Sequence, residues 1–398
     1  MLPTSIFHSS HEGRPSKTLL HLVALAMTSC FSVPAFSAGS FYGLGDLPGG
    51  WFESGATGVS ADGSVVVGRG RSANGFEAFR WTLGGGMVGL GELAGGHFYS
   101  SATGVSGDGN VVVGESQTSG GLAAFRTTQD GSLVPLGDFS GGAQYSIATA
   151  ANADGSVVVG VGLTGAGQDL GEAATWAQDG AISSLGDLSG GQLASIARGV
   201  SADGRVVVGE GASINGPEAF IWTQADGMLG LGDLAGGSFL SSAAGISADG
   251  RVVVGESEGL NGREAFLWSQ GRGMVGLGYL PGGSLLSSAY GVNADGTVVV
   301  GVSLAPAGPR AFRWTQSGGM QSVSDWLAEA GVVVPQGWAL VDATGVSANG
   351  LVVVGLAMRD GELEAFRAEV TAVPEPETWA MLLAGLGLVS WRLRNIRV

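Results

Sequence analysis

The stretch Ala56-Thr57-Gly58-Val59-Ser60-Ala61-Asp62-Gly63-Ser64-Val65-Val66-Val67-Gly68 returns six more times, ending at Gly114, Gly160, Gly209, Gly255, Gly301 and Gly355. The intervals are 46, 46, 49, 46, 46 and 54 residues. A period of this length marks stacked supersecondary units, none of which buries its apolar face alone. Each unit holds four strand-sized pieces; in the first they are residues 54–60, 64–68, 77–82 and 87–93. Asp62-Gly63 between the first two is a hairpin signal, because Gly accepts positive φ and Asp tolerates the turn. Three consecutive valines predict burial on both faces of the second piece. Phe79 and Trp81 share one face of the third by the two-residue period.

Four antiparallel strands per unit predict an all-β chain, a β-propeller, which is built of about 4–8 such blades. The small residues of the first piece suit a crowded inner rim. The ends of the repeat region predict closure. Residues 41–47 match the fourth piece of a unit without the first three; residues 343–355 and 364–367 supply the first three without the fourth. Joined, they complete a seventh blade and leave no open sheet edge. The expectation is a seven-bladed β-propeller over residues 39–370, with an N-terminal strand closing the last blade. Its largest break in register is an insertion at 316–342.

The repeats resemble the family called HAF extracellular repeats. The resemblance rests on Leu44-Gly45-Asp46-Leu47-Pro48-Gly49-Gly50 and its return at 231–237, on the Asp-Gly turn before Val-Val-Gly, and on Ala78-Phe79-Arg80-Trp81. It covers about residues 41–370 and implies an exported, repeat-built surface protein without a defined activity. The His of the family's His-Ala-Phe is replaced here by Glu77, Glu218, Glu264, Glu364 or Arg310, so no role of that His carries over.

Composition narrows the partners. Formal charge is −16, and beyond residue 38 every Lys or Arg is an arginine. An acidic surface repels phosphate backbones, which argues against nucleic acid. The single cysteine, Cys30, lies in the N-terminal segment, so the repeat region has neither a disulfide nor a thiolate metal site. Residues 1–38 read as a secretory signal: Arg14 and Lys17 flank an apolar run at 19–33, and cleavage is expected between Ser37 and Ala38.

No catalytic or metal constellation stands out, and no cofactor is expected. Beyond the signal, His97 is the one histidine, too few for a serine triad or a histidine zinc site. Glu77, Glu172, Glu218, Glu264 and Glu364 recur at one offset, as do Asp46, Asp138, Asp187 and Asp233. Groups repeated around a ring share near-equal environments, whereas an acid–base pair needs unequal ones. Their expected role is structural, as is that of the Asp-Gly turns. Trp81, Trp176, Trp222, Trp268 and Trp314 read as packing between blades. Trp51, Phe52, Phe98, Tyr99 and Tyr145 fall outside this register, on connections expected to cluster on one rim. In the insertion, residues 322–331 predict a short helix capped by Ser322, with Asp325 in its first turn and Gly331 ending it. Asp325, Trp326, Glu329 and Trp338 have no counterparts elsewhere; they either cover the last inter-blade groove or form a ligand rim.

The tail, residues 371–398, carries Pro374-Glu375-Pro376, an apolar stretch at 379–391 bounded by Trp379 and Trp391, and Arg392, Arg394 and Arg397. Thirteen residues are short against the roughly 20 of a membrane span, but interfacial tryptophans and a basic end support a membrane helix. The order closely resembles the PEP-CTERM sorting signal of Gram-negative, exopolysaccharide-producing bacteria. That resemblance implies a transient inner-membrane anchor, processing by an exosortase-type enzyme, and release or attachment at the cell surface in a biofilm setting. Sequence alone therefore predicts an exported, non-enzymatic matrix protein. The competing readings are a glycan-binding or glycan-active propeller using the rim at Trp326 and Trp338, and a permanent membrane protein whose tail stays uncleaved.

Overall fold

The computed structural model describes residues 39–141, 144–165 and 171–371. The signal segment and the sorting tail, including the expected membrane helix at 379–391, lie outside the described residues. Among the described residues the chain is all-β with one short helix, and no helix is long and apolar enough to cross a membrane.

After β1 (Ser40–Gly43), the first complete unit is β2 (Gly49–Val59), β3 (Val65–Ser72), β4 (Gly75–Thr82) and β5 (Gly86–Gly89), paired antiparallel in that order. The same four-strand set recurs over 95–135, 146–184, 195–230, 236–276 and 287–322. The last set consists of β26 (Trp338–Val346), β27 (Val352–Arg359), β28 (Glu362–Glu369) and, from the opposite end of the chain, β1. Tyr42 lies opposite Arg367, and Leu44 N–H donates to Ala365 C=O at 2.9 Å.

The valine runs are buried on both faces, as their sequence predicts. Val66 packs with Phe79, Trp81, Val352 and Val354 of the last unit; Val65 and Val67 turn the other way, toward Ala102, Val112 and Phe125 of the second. The alternation of the strand thus splits one Val-Val-Val run between two inter-sheet cores. The glycine after each run is sterically required. A Cβ on Gly68 would lie 2.0 Å from Gly55 C=O, and one on Gly255 would lie 1.9 Å from Ser242 C=O.

Polar links join neighbouring sets. Ser100 Oγ accepts from Ala78 N–H at 2.9 Å and donates to Gly91 C=O; Ser146, Ser195, Ser241 and Ser287 accept from the matching alanine N–H at 2.9–3.0 Å. Ser54 does the same for Ala365 at 3.1 Å, joining the first set to the last. A belt of backbone bonds runs through the Asp-Gly turns: Ala61 N–H to Gly107 C=O, Asp108 to Ala153, Ala153 to Ala202, Ala202 to Ala248, Ala248 to Ala294 and Ala294 to Ala348. It returns to its start, since Ala348 N–H donates to Ala61 C=O at 2.8 Å.

One expectation is corrected. The connections expected to carry Trp51, Phe52, Phe98 and Tyr99 are strand instead: the Gly-Gly elements at Gly49, Gly95 and Gly236 open eleven-residue strands. Gly49 pairs with Ser72 at φ +92°, and Gly50 approaches so closely that a Cβ would sit 2.4 Å from Arg71 C=O. Only glycine permits that approach, so the residues that read as loop in fact extend the hairpin.

Candidate functional site

The recurring glutamates hold turns. Glu77 Oε1 accepts from Gly91 N–H at 2.9 Å, Glu218 from Gly232 at 3.0 Å, Glu264 from Gly278 at 2.8 Å and Glu364 from Gly45 at 3.0 Å. Where the unit differs, Glu172 bonds Ser184, whose hydroxyl takes the Gly186 N–H instead. In the Asp-Gly turns, hydrogen bonds from the Ser60 hydroxyl and the Ser64 N–H hold the Asp62 carboxyl below its ordinary range. Among the described residues no group of three His, Cys, Asp or Glu could hold a metal ion.

The repeated tryptophans lie in the inter-sheet cores, with Trp176 fully buried and Trp81 5% exposed. Outside the register, Trp51 is 78% exposed, with the Arg71 guanidinium 5.0 Å from its ring. Phe52, Phe98 and Tyr99 are half-buried, and Tyr99 donates to Glu115 at 2.6 Å. Tyr145 is exposed, and so is His97, which lies in the strand at 95–105.

The insertion forms α1 (Val323–Glu329), capped as its sequence predicts: Ser322 Oγ accepts from Asp325 N–H at 3.0 Å, and Gly331 follows at φ +77°. Trp326 and Leu327 are buried in the core of the last unit, and Trp338 packs against that same core. Arg313 lies over the Trp326 ring at 5.1 Å, while Trp338 meets Phe41 edge-on at 5.0 Å. Asp325 binds back to Ser322, and Glu329 accepts from Gln321 at 2.9 Å. The two tryptophans of the expected rim are thus brought to one core, while the two carboxylates are engaged along the helix.

The strongest departure from the repeat lies on the innermost strands, where repeat-counting finds no signal. Every inner strand carries a β-bulge at one position, occupied in order by Thr57, Thr103, Thr149, Arg198, Ala244, Tyr290 and Thr344. A bulged residue is left out of the ladder and its side chain is re-aimed. The four threonines aim at the next unit: Thr57 Oγ1 donates to Ala102 C=O at 2.8 Å, Thr103 to Ala148 at 2.6 Å, Thr149 to Ala197 at 2.8 Å and Thr344 to Ala56 at 2.9 Å. Six of these seven residues, with Gly345 and Val346 beside the seventh, Thr344, line one channel at the centre of the repeats. At Arg198, Ala244 and Tyr290, three units in a row, this inter-unit bond is missing.

Beside those three positions a cavity of about 430 Å³ opens, lined by Arg198, Glu210, Glu256, Arg263, Ser288 and Tyr290 among others. Arg263 pairs with Glu256 at 3.2 Å and Glu258 at 3.3 Å; Arg198 stands 3.8 Å from Glu210. Ser288 donates to Glu256. Burial, then the charges of Asp342 and Glu256, push the Tyr290 hydroxyl up to about 12, so it keeps its proton at any working pH. Asp342 stands where other units have Gly55, Ser101, Ile147, Ile196, Ser242 and Ser288. Burial raises its carboxyl to about 6, and its Oδ1 has no hydrogen-bond partner. Aligning the units by column, rather than counting them, would have exposed Arg198, Tyr290 and Asp342 in the sequence.

Comparison with known proteins assigns the tail and the architecture. Residues 372–397 match the family model described as the PEP-CTERM protein-sorting motif, which implies export and sorting. No curated protein matches the chain. An oligogalacturonate lyase from Vibrio parahaemolyticus is similar at 14% identity, over 80% of this chain and 88% of that chain, with a TM-score of 0.53. An oligogalacturonate lyase in complex with manganese is similar at 14% identity over the same shares, 80% and 88%, with a TM-score of 0.51. TolB from Acinetobacter baumannii gives 14% identity, 79% and 82% coverage, and a TM-score of 0.45. At that identity the likeness to the lyases is one of fold alone: several four-stranded antiparallel sheets arranged in the manner of a β-propeller.

Proposed function

We propose that this chain is an exported, seven-bladed β-propeller that is sorted to the cell surface through its tail and acts there as a non-catalytic binding or structural module. The observation that carries the reading is the sorting-motif match at 372–397, which begins three residues after β28 ends at Glu369. The division is a signal at 1–38, the propeller at 39–370 and the sorting tail at 371–398. The count of seven blades is supported by the belt from Ala61 back to Ala348 and by the pairing of β1 with β28. A role in an exopolysaccharide matrix, and membership of the HAF repeats, extend this reading from the sequence resemblance.

In this reading an exosortase-type enzyme recognises Pro374, Glu375 and Pro376, with Trp379 and the arginines Arg392 and Arg394 holding the transient anchor. The insertion is structural: Trp326, under Arg313, and Trp338, against Phe41, seal the end of the last unit. That assignment replaces the glycan rim at Asp325, Trp326, Glu329 and Trp338. The intact mass of the mature surface protein tests sorting. The expected species lacks the signal and ends by Pro376; a mass that retains residues beyond Pro376 overturns the proposal and favours a permanent membrane protein.

A further inference from the structure

The geometry points to a binding site for an uncharged oligosaccharide at the lip of the central channel, where Arg198, Ala244 and Tyr290 replace the threonine of the other units. This rests on the binding-module reading above and names its ligand class.

Three consecutive units forgo the bond that ties inner strand to inner strand elsewhere. Two of them carry instead a long polar side chain lining both the channel and the adjoining cavity. A volume of about 430 Å³ lies within the range of roughly 300–1,000 Å³ typical of small-molecule sites. Its charges fix the ligand's charge. Arg198 and Arg263 face Glu210 and Glu256, so the wall is polar but balanced. An anionic sugar would meet two carboxylates, and a cationic ligand would meet two guanidinium groups.

A sugar hydroxyl suits such a wall because it both donates and accepts. Among the described residues, Arg198 meets Glu210 alone, at 3.8 Å, beyond hydrogen-bond reach, which leaves its guanidinium N–H groups without a protein acceptor. Glu210 and Glu256 accept from hydroxyls. Hydrogen bonds to ionised groups are about twice as strong as neutral ones. Tyr290 adds a hydrogen-bond donor and an aromatic face, 37% exposed, for the apolar face of a pyranose. Leu286 and Val302 complete an apolar side to the same cavity.

The test is calorimetric titration of the full chain with cellotetraose and mannotetraose, alongside tetragalacturonate and the zwitterion alanylalanine. Arg198→Thr and Tyr290→Thr are the variants, because threonine is the residue other units carry there. The expected result is binding of at least one neutral tetrasaccharide, weakened tenfold or more by each variant while the melting temperature stays the same or rises. Absence of binding by both neutral sugars overturns the proposal. So does binding that both variants leave unchanged, and so does tighter binding of tetragalacturonate or alanylalanine. Failure here leaves the mass of the mature protein untouched, so the site and the sorting claim fail separately.

Discussion

Two sectors of the ring share one lattice and differ in what they do with one residue. From Thr344 through Thr57 and Thr103 to Thr149, the bulged position ties each inner strand to the next. From Arg198 to Tyr290 it does not, and the side chains of Arg198 and Tyr290 line the channel instead. The backbone belt and the serine links nevertheless continue through both. A repeat protein can therefore give up one class of inter-unit bond locally because parallel classes remain. That redundancy is what leaves a few positions free to differ.

The comparison breaks first if the lattice itself is unequal. Gly114→Ala in the tied sector and Gly255→Ala in the other each place a Cβ about 2 Å from a carbonyl oxygen of the neighbouring strand. Each is expected to cost about 3 kcal/mol or more by denaturant unfolding. A clear difference between the two would show that the sectors differ in more than the bulge. The next largest effect belongs to Asp342. Its folded carboxyl, at about 6, lies above the ordinary 3.8. From about pH 4 to 6 the unfolded chain releases a proton that folded Asp342 retains, so stability falls as pH rises through that window and stays lower above it. Asp342→Asn is expected to be roughly 2 kcal/mol more stable than the parent at pH 7.5, with the gap closing toward pH 4. Parallel pH profiles for the two proteins would discard the buried-carboxylate account. The smallest effects sharpen the contrast. Thr103→Val should cost about 1 kcal/mol, and Ala244→Thr should gain roughly 0.5 kcal/mol by installing a bond to Ala289 C=O. A loss from Ala244→Thr would mean that the open sector is spaced too widely for the tie.

Much of this architecture was legible because it repeats. Val65–Val67, Asp62-Gly63 and Phe79 recur often enough that strand, turn and core face follow from period alone, and the helix at Ser322 announced itself by its cap. Gly49 and Gly50 misled because glycine marks both loops and close backbone approach, and only the partner strand at Arg71 distinguishes them. Arg198, Tyr290 and Asp342 escaped for the opposite reason. Periodicity draws attention to what is shared, whereas Arg198, Tyr290 and Asp342 are notable for differing from their own counterparts.

The placement of β28 has a mechanical consequence. It is flanked on one side by β27 and on the other by β1, and it is the strand from which the tail departs. A pull on residue 371, as when membrane machinery engages the tail, therefore loads two hydrogen-bonded ladders lengthwise instead of peeling an outermost strand. A lengthwise load at that point is shared between both neighbours of β28.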